Sequence, residues 1–169
     1  GDRIAYLGLN SSDVIEIFFA AIRIGAIYVP LNFRLTASEL TYILGDCAPT
    51  AVFYDQAFKA VIGDIDANAM PHLTIETTLD GRDSAYERCM MTNEPALQAV
   101  PANGDTLSMI MYSSGTPCNP TGVIYTHPMM FASVLNLLQP SEPRPHTRAL
   151  NAMSLLPICG LTFFPMTLT

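Results

Sequence analysis

The chain has 169 residues, half of them hydrophobic, with only 14% charged and a formal net charge of −7. Its eight basic residues include a single lysine, Lys59, which excludes the basic patches that nucleic acids and anionic membranes attract. The length suits one domain, spanning 1–169, or a piece of a larger one. The low charge implies that some of its surface meets another domain or subunit, a homo-oligomer partner included.

The opening segment IAYLG (4–8) reads as a buried strand. Asn10, Ser11 and Ser12 offer cap oxygens to a helix in which Val14, Ile17, Phe18, Ala21 and Ile22 recur at helical spacing, with Gly25 as the stop. AIYVPL then reads as a short strand ending at Pro30. The whole apolar run 15–31 is broken by Glu16, Arg23 and Pro30, too short and too charged to span a bilayer. No basic segment followed by an apolar one opens the chain, so no export signal is read and a cytoplasmic location is expected.

Thr36-Ala-Ser-Glu39 is a capping box for a helix through Leu44, closed by Gly45 and Asp46. AVFYD (51–55) is a strand, a weak helix is expected near 56–62, and a short strand near 73–76, with loops at 63–72 and 77–83. Ser84 to Met91 reads as a short helix, and 92–104 as loop. LSMIMY (107–112) and VIYT (123–126) are strands, and 127–138 a helix with Pro128 allowed in its first turn. Three prolines in 139–148 mark a loop, and LNAMSLLP (150–157) is a further strand candidate. Strands alternating with helices predict an α/β fold with a mainly parallel sheet flanked by helices. The chain closes on the apolar LTFFPMTLT with no cap or polar tail, from which a longer protein is expected.

Cys47, Cys89, Cys118 and Cys159 lie far apart with no C-x-x-C and no nearby His pair, so no metal ligand set is read and reduced thiols are expected. Met109, Met111, Met129 and Met130 read as core filler, as do the Tyr and Phe residues. His72 and His146 flank prolines in loops and are expected to be solvated. Arg34 is read as making a surface or loop hydrogen bond.

Between the strands 107–112 and 123–126 lies SSGTPCNPTG (113–122). Glycine lets a backbone approach phosphate closely, and N–H and hydroxyl groups donate to its oxygens. The Walker pattern is absent. The stretch resembles the phosphate-binding loop of the adenylate-forming, or AMP-binding, superfamily, whose pattern is Ser/Thr-Ser-Gly-Ser/Thr-Thr-Gly-x-Pro-Lys-Gly, followed by an apolar strand and Thr-His. GVIYTH supplies that sequel. GDTLSMIMYSSGT matches the usual lead-in, residues 1–49 resemble the opening of an acyl-CoA synthetase, and SLLPICGL resembles a later segment of the family that here lacks a Phe-His.

The resemblance implies part of the large N-terminal domain of an acyl-CoA synthetase. The parent reaction would be adenylation of a carboxylic acid by ATP with Mg²⁺, then transfer to coenzyme A. It places Ser113, Ser114, Gly115, Thr116, Thr121 and Gly122 at the phosphates, with His127 just after the following strand. Two departures stand out: Pro117-Cys118 replace Thr-Gly, and Thr121 replaces the Lys. Losing that cation removes a charge-assisted contact on the order of 1.5–3 kcal/mol. The resemblance also implies that the adenine pocket, the ribose-binding Asp, the metal-binding Glu and a small C-terminal domain with a catalytic Lys lie beyond Thr169, so the 169-mer alone is expected to have little or no ligase activity.

Two other readings start from the same residues. One is a serine hydrolase using Ser113 or Ser114 with His127 and Asp105, since such a set is defined by geometry rather than order; no G-x-S-x-G elbow supports it. The other is a non-catalytic domain that dimerises through exposed apolar surface.

Overall fold

A short buried strand, β1 (Arg3–Leu7), organises the chain, because it pairs in parallel on both sides. The computed structural model describes residues 1–79, 83–92, 99–113, 119–141 and 154–155. Among them the order is β1, α1 (Ser12–Arg23), β2 (Ile27–Leu31), α2 (Ala37–Cys47) and β3 (Ala51–Asp55). A 3-10 turn (Gln56–Phe58) follows, then α3 (Lys59–Gly63), β4 (Leu73–Thr77), α4 (Ala85–Thr92), β5 (Leu107–Ser113), β6 (Thr121–Thr126) and α5 (His127–Ser141). The six strands form one sheet in the order β4-β3-β1-β2-β5-β6. Neighbours are parallel except β5 and β6, which are antiparallel.

Strand alternation sends side chains to two faces. On one, Val14, Ile17, Phe18 and Ala21 of α1 meet Tyr6, Tyr28 and Met109, joined by Tyr86 of α4 and Met130 of α5. The rings of Phe18 and Tyr28 meet edge to face at 5.3 Å. On the other, Leu40, Ile43, Leu44 and Cys47 of α2 cover Ala5, Leu7, Val29, Leu31 and Val52. All five residues of β2 are buried, as expected for a parallel strand covered on both faces.

The cap chemistry appears where the residues promise it. Ser11 caps α1 by accepting from the Val14 N–H. The helix ends in a Schellman motif, with Gly25 N–H donating to Ile22 O and Ala26 N–H to Ala21 O; Gly25 supplies the φ of 72° that this motif requires. Thr36 and Glu39 form both bonds of the capping box. The other end of α2 departs from expectation. Gly45 and Asp46 do not close the helix; it runs to Cys47, and Ala48 takes the left-handed cap at φ 41°. Pro49 disfavours helical geometry in the residue before it. Arg3 holds the turn by donating from Nε to Cys47 O and from Nη2 to Ala48 O, both at 2.7 Å.

Other expectations need correction. β2 continues through Pro30 to Leu31. Residues 28 and 30 direct their backbone groups to one side, so the missing Pro30 N–H removes a rung there. The ladder to β5 has one registered pair, Tyr28 with Met109. Helix α5 runs beyond 138 to Ser141. Met109 and Met130 are core residues, but Met129 is exposed, as are Phe19, Tyr42 and Phe131. Arg34 sets its guanidinium over the Phe33 ring at 5.3 Å, whereas His72 is exposed as expected. Of the strand candidate 150–157 only Ser154 and Leu155 are described, neither in a strand; Leu155 N–H donates to Asn10 Oδ1 at 2.8 Å. Cys118, His146 and Cys159 lie outside the described residues.

Candidate functional site

The apolar run of β5 and the shorter one of β6 fold back on each other as an antiparallel hairpin. Its ladder runs from Leu107 with Thr126 to Ser113 with Thr121. The register shifts between Leu107 and Met109, where buried Ser108 donates its hydroxyl to Tyr125 O at 3.0 Å. Because β5 runs parallel to β2, Ser113 stands at the carboxyl rim of the parallel strands. Open α/β sheets hold their ligands outside that rim. Ser113 and Thr121 are both exposed there. Ser114, Gly115 and Thr116, with Pro117 and Cys118, lie outside the described residues.

Directly beneath this rung the stem is packed. Gly122 pairs with Tyr112, and a Cβ on Gly122 would stand 3.0 Å from Ile110 Cγ2 and 3.4 Å from Tyr112 Cζ. Glycine suits this position because the Ile110 methyl leaves little room for a side chain and the Tyr112 ring lies in contact range beside it. The Tyr112 hydroxyl donates to Asp46 Oδ2 in the last turn of α2. Burial, and after it the bond to Asp46, push this phenol above its ordinary range. Arg3, Asp46, Tyr112, Gly122 and Ile124 help line an open cavity of about 320 Å³ on this face. Neighbouring Cys47 has its thiol pushed up to about 11, chiefly by burial.

Among the described residues of the hydrolase set, Ser113 is not brought together with His127 and Asp105. His127 opens α5, where its N–H donates to Thr106 O at 3.1 Å. Its Nε2 is buried without a partner among the described residues. Exposed Asp105 precedes β5 and donates its N–H to Asn103 Oδ1. Asp105 and His127 thus sit at the amino end of β5, and Ser113 at its carboxyl end. Six residues of strand separate the ends by roughly 20 Å. A nucleophile and its base need hydrogen-bond reach, so the Ser113–His127 pairing is corrected. Ser114 lies outside the described residues.

Sequence reasoning missed Tyr112 and Asp46 as a pair. Period-2 alternation could have placed Tyr112 on one face with Ile110. No local signal pointed to Asp46, 66 residues away. Among the described residues no group of three His, Cys, Asp or Glu could hold a metal ion, and no helix is long and apolar enough to cross a membrane.

Comparison with known proteins adds to this geometry. The model of the family described as AMP-binding enzyme matches residues 1–169. The long-chain-fatty-acid–CoA ligase FadD13 of Mycobacterium tuberculosis is 35% identical over 164 residues, which is 96% of this chain and 32% of that protein. Indoleacetate–CoA ligase of Aromatoleum aromaticum is 30% identical over 162 residues, 94% of this chain and 31% of its own. Among solved structures, the inhibitor-bound N-terminal domain of FACL13 from Mycobacterium tuberculosis superposes with a TM-score of 0.86 at 30% identity, covering 99% of this chain and 42% of that one. ATP-bound MatB from Rhodopseudomonas palustris gives 0.87 at 27% identity, covering 99% and 33%. The chain spans about a third of the length of the curated relatives it matches.

Proposed function

The chain belongs to the AMP-binding enzyme family, and from that premise we propose that its β5–β6 hairpin holds the polyphosphate tail of ATP within an acid-activating ligase. The observation that carries this reading is the Ser113–Thr121 rung. It brings both ends of the Ser/Thr/Gly loop together, exposed, at the carboxyl rim of the sheet. Hydroxyl and backbone donors in that position suit anionic oxygens.

In the parent reaction a carboxylate oxygen attacks the α-phosphorus of ATP and pyrophosphate leaves. The coenzyme A sulfur then displaces AMP from the acyl carbon. The chain spans a third of its relatives' length, so the complete reaction, its acid and coenzyme A belong to the whole protein. This segment's share is to grip and orient the β- and γ-phosphates, which is catalysis by positioning. The described residues offer hydroxyls rather than a carboxylate cluster, so no Mg²⁺ ligand is assigned to them. With Thr121 where the family keeps Lys, binding by the chain alone is weak, and with a third of its relatives' length it supports little or no acid activation.

Titration calorimetry of the 169-residue chain with ATP and Mg²⁺, beside AMP, tests the reading. ATP should bind, AMP at least about tenfold more weakly, and Ser113→Ala with Thr121→Ala should erase the difference. Equal affinity for ATP and AMP sinks the polyphosphate assignment. Acid-dependent exchange of labelled pyrophosphate into ATP by the chain alone would contradict its proposed impairment.

A second reading, self-association, rests on apolar side chains left in solvent. Val123 and Ile124 on edge strand β6 and Met129, Phe131 and Leu135 on α5 are 42–65% exposed. Unpaired strand edges and apolar patches favour pairing with another chain. Sedimentation equilibrium showing a monomer at all concentrations would remove it.

A further inference from the structure

We infer that Tyr112 and Asp46 are positioning residues for the phosphate loop: their hydrogen bond, laid over Gly122, clamps the stem of the hairpin to the carboxyl end of α2. The inference rests on the nucleotide-holding role proposed above. Tyr112 immediately precedes Ser113, and Gly122 immediately follows Thr121, so the Tyr112–Gly122 pair is the rung next to the Ser113–Thr121 rung from which the loop leaves the sheet. The Tyr112 ring passes over the bare Gly122 and reaches Asp46, 66 residues away.

The anchor is itself held. Arg3 of β1 donates to the carbonyls of Cys47 and Ala48, while Leu40, Ile43 and Leu44 bury α2 against the central strands. The hairpin needs such a tie, because its ladder to β2 has one registered pair, at Met109 near the amino end of β5. Residues 110–113 extend beyond that rung. A hydroxyl donating to a carboxylate makes a charge-assisted bond. Loop donors displaced by about 1 Å lose much of their grip on a ligand.

The test uses the 169-residue chain with Tyr112→Phe, Asp46→Ala and Asp46→Asn. Binding of ATP with Mg²⁺ is read by calorimetry and amide exchange by NMR. Tyr112→Phe and Asp46→Ala should each weaken ATP binding about tenfold, while Asp46→Asn, which keeps an acceptor oxygen, should stay within about twofold. Exchange at Ser113 and Thr121 should quicken in the first two variants, with Ala5 and Val29 unchanged. Unaltered ATP affinity in Tyr112→Phe overturns the inference, and so does quickened exchange throughout the sheet, which marks a folding defect. If the unaltered chain binds no ATP, the nucleotide reading fails by itself. The exchange data then decide the clamp: quickened stem exchange in Tyr112→Phe keeps it, and unchanged exchange removes it.

Discussion

Ser113 and Thr121 face each other across the last rung of the β5–β6 ladder, so both ends of the intervening loop leave the sheet side by side. A charge placed at Thr121 would therefore stand at the mouth of the loop. Thr121 is exposed, so the longer side chain has room. Thr121→Lys should tighten binding of ATP with Mg²⁺ about tenfold. The gain should shrink as salt rises from 50 to about 500 mM, since exposed charges are screened. Calorimetry at two salt concentrations reads both effects, and unchanged affinity at low salt counts against the phosphate assignment.

Gly122 is packed rather than merely flexible. A methyl group there would press on Ile110 Cγ2 at 3.0 Å and touch the Tyr112 ring at 3.4 Å. Gly122→Ala should lower stability by about 1–2 kcal/mol, seen as a lower urea midpoint with an unchanged slope. A midpoint equal to that of the parent would show that the Ile110 methyl moves aside without cost.

Tyr28 is fully buried at the centre of the sheet, and its hydroxyl has no partner among the described residues. Burial raises its pKa well above the ordinary value. An unmatched buried hydroxyl carries a desolvation cost of about 1–3 kcal/mol. Tyr28→Phe, which keeps the edge-to-face contact with Phe18, should leave stability unchanged or raise it by about 1 kcal/mol. A clear fall in melting temperature would reveal a bond to that oxygen.

The Cys47 thiol titrates at about 11, raised from an ordinary value near 9, chiefly by burial. A group whose folded pKa is raised stabilises fully below its unfolded pKa and loses that contribution as pH climbs through the folded value. Stability from Cys47 should hold below about pH 8.5 and decline towards pH 11. Iodoacetamide labelling of Cys47 at pH 8, followed by mass spectrometry, should lag far behind that of exposed Cys89. Equal rates would place the Cys47 thiol in solvent.

Much of the fold was legible because its signals are local. The Ser11 cap, the Gly25 stop and the Thr36–Glu39 box act within a few residues, and the apolar periods of α1 and α2 match the faces they bury. The Ser/Thr/Gly stretch marked the hairpin tip as the candidate site. Gly45 misled, since in isolation it reads as a helix stop. The end of α2 is set instead by Pro49 and by Arg3, brought from another strand.

The amino-acid sequence by itself determined the elements, the α/β class and the family, because cap chemistry, apolar periodicity and a ten-residue motif are written in neighbouring residues. Only the tertiary structure decided that β1 lies between β2 and β3, that Ser113 and His127 stand on opposite rims, and that Tyr112 rests on Gly122 to reach Asp46. Those relationships join positions dozens of residues apart in the chain or depend on which strand edges meet. The order of pairing follows from burying both faces of the sheet at once, a condition no single segment carries.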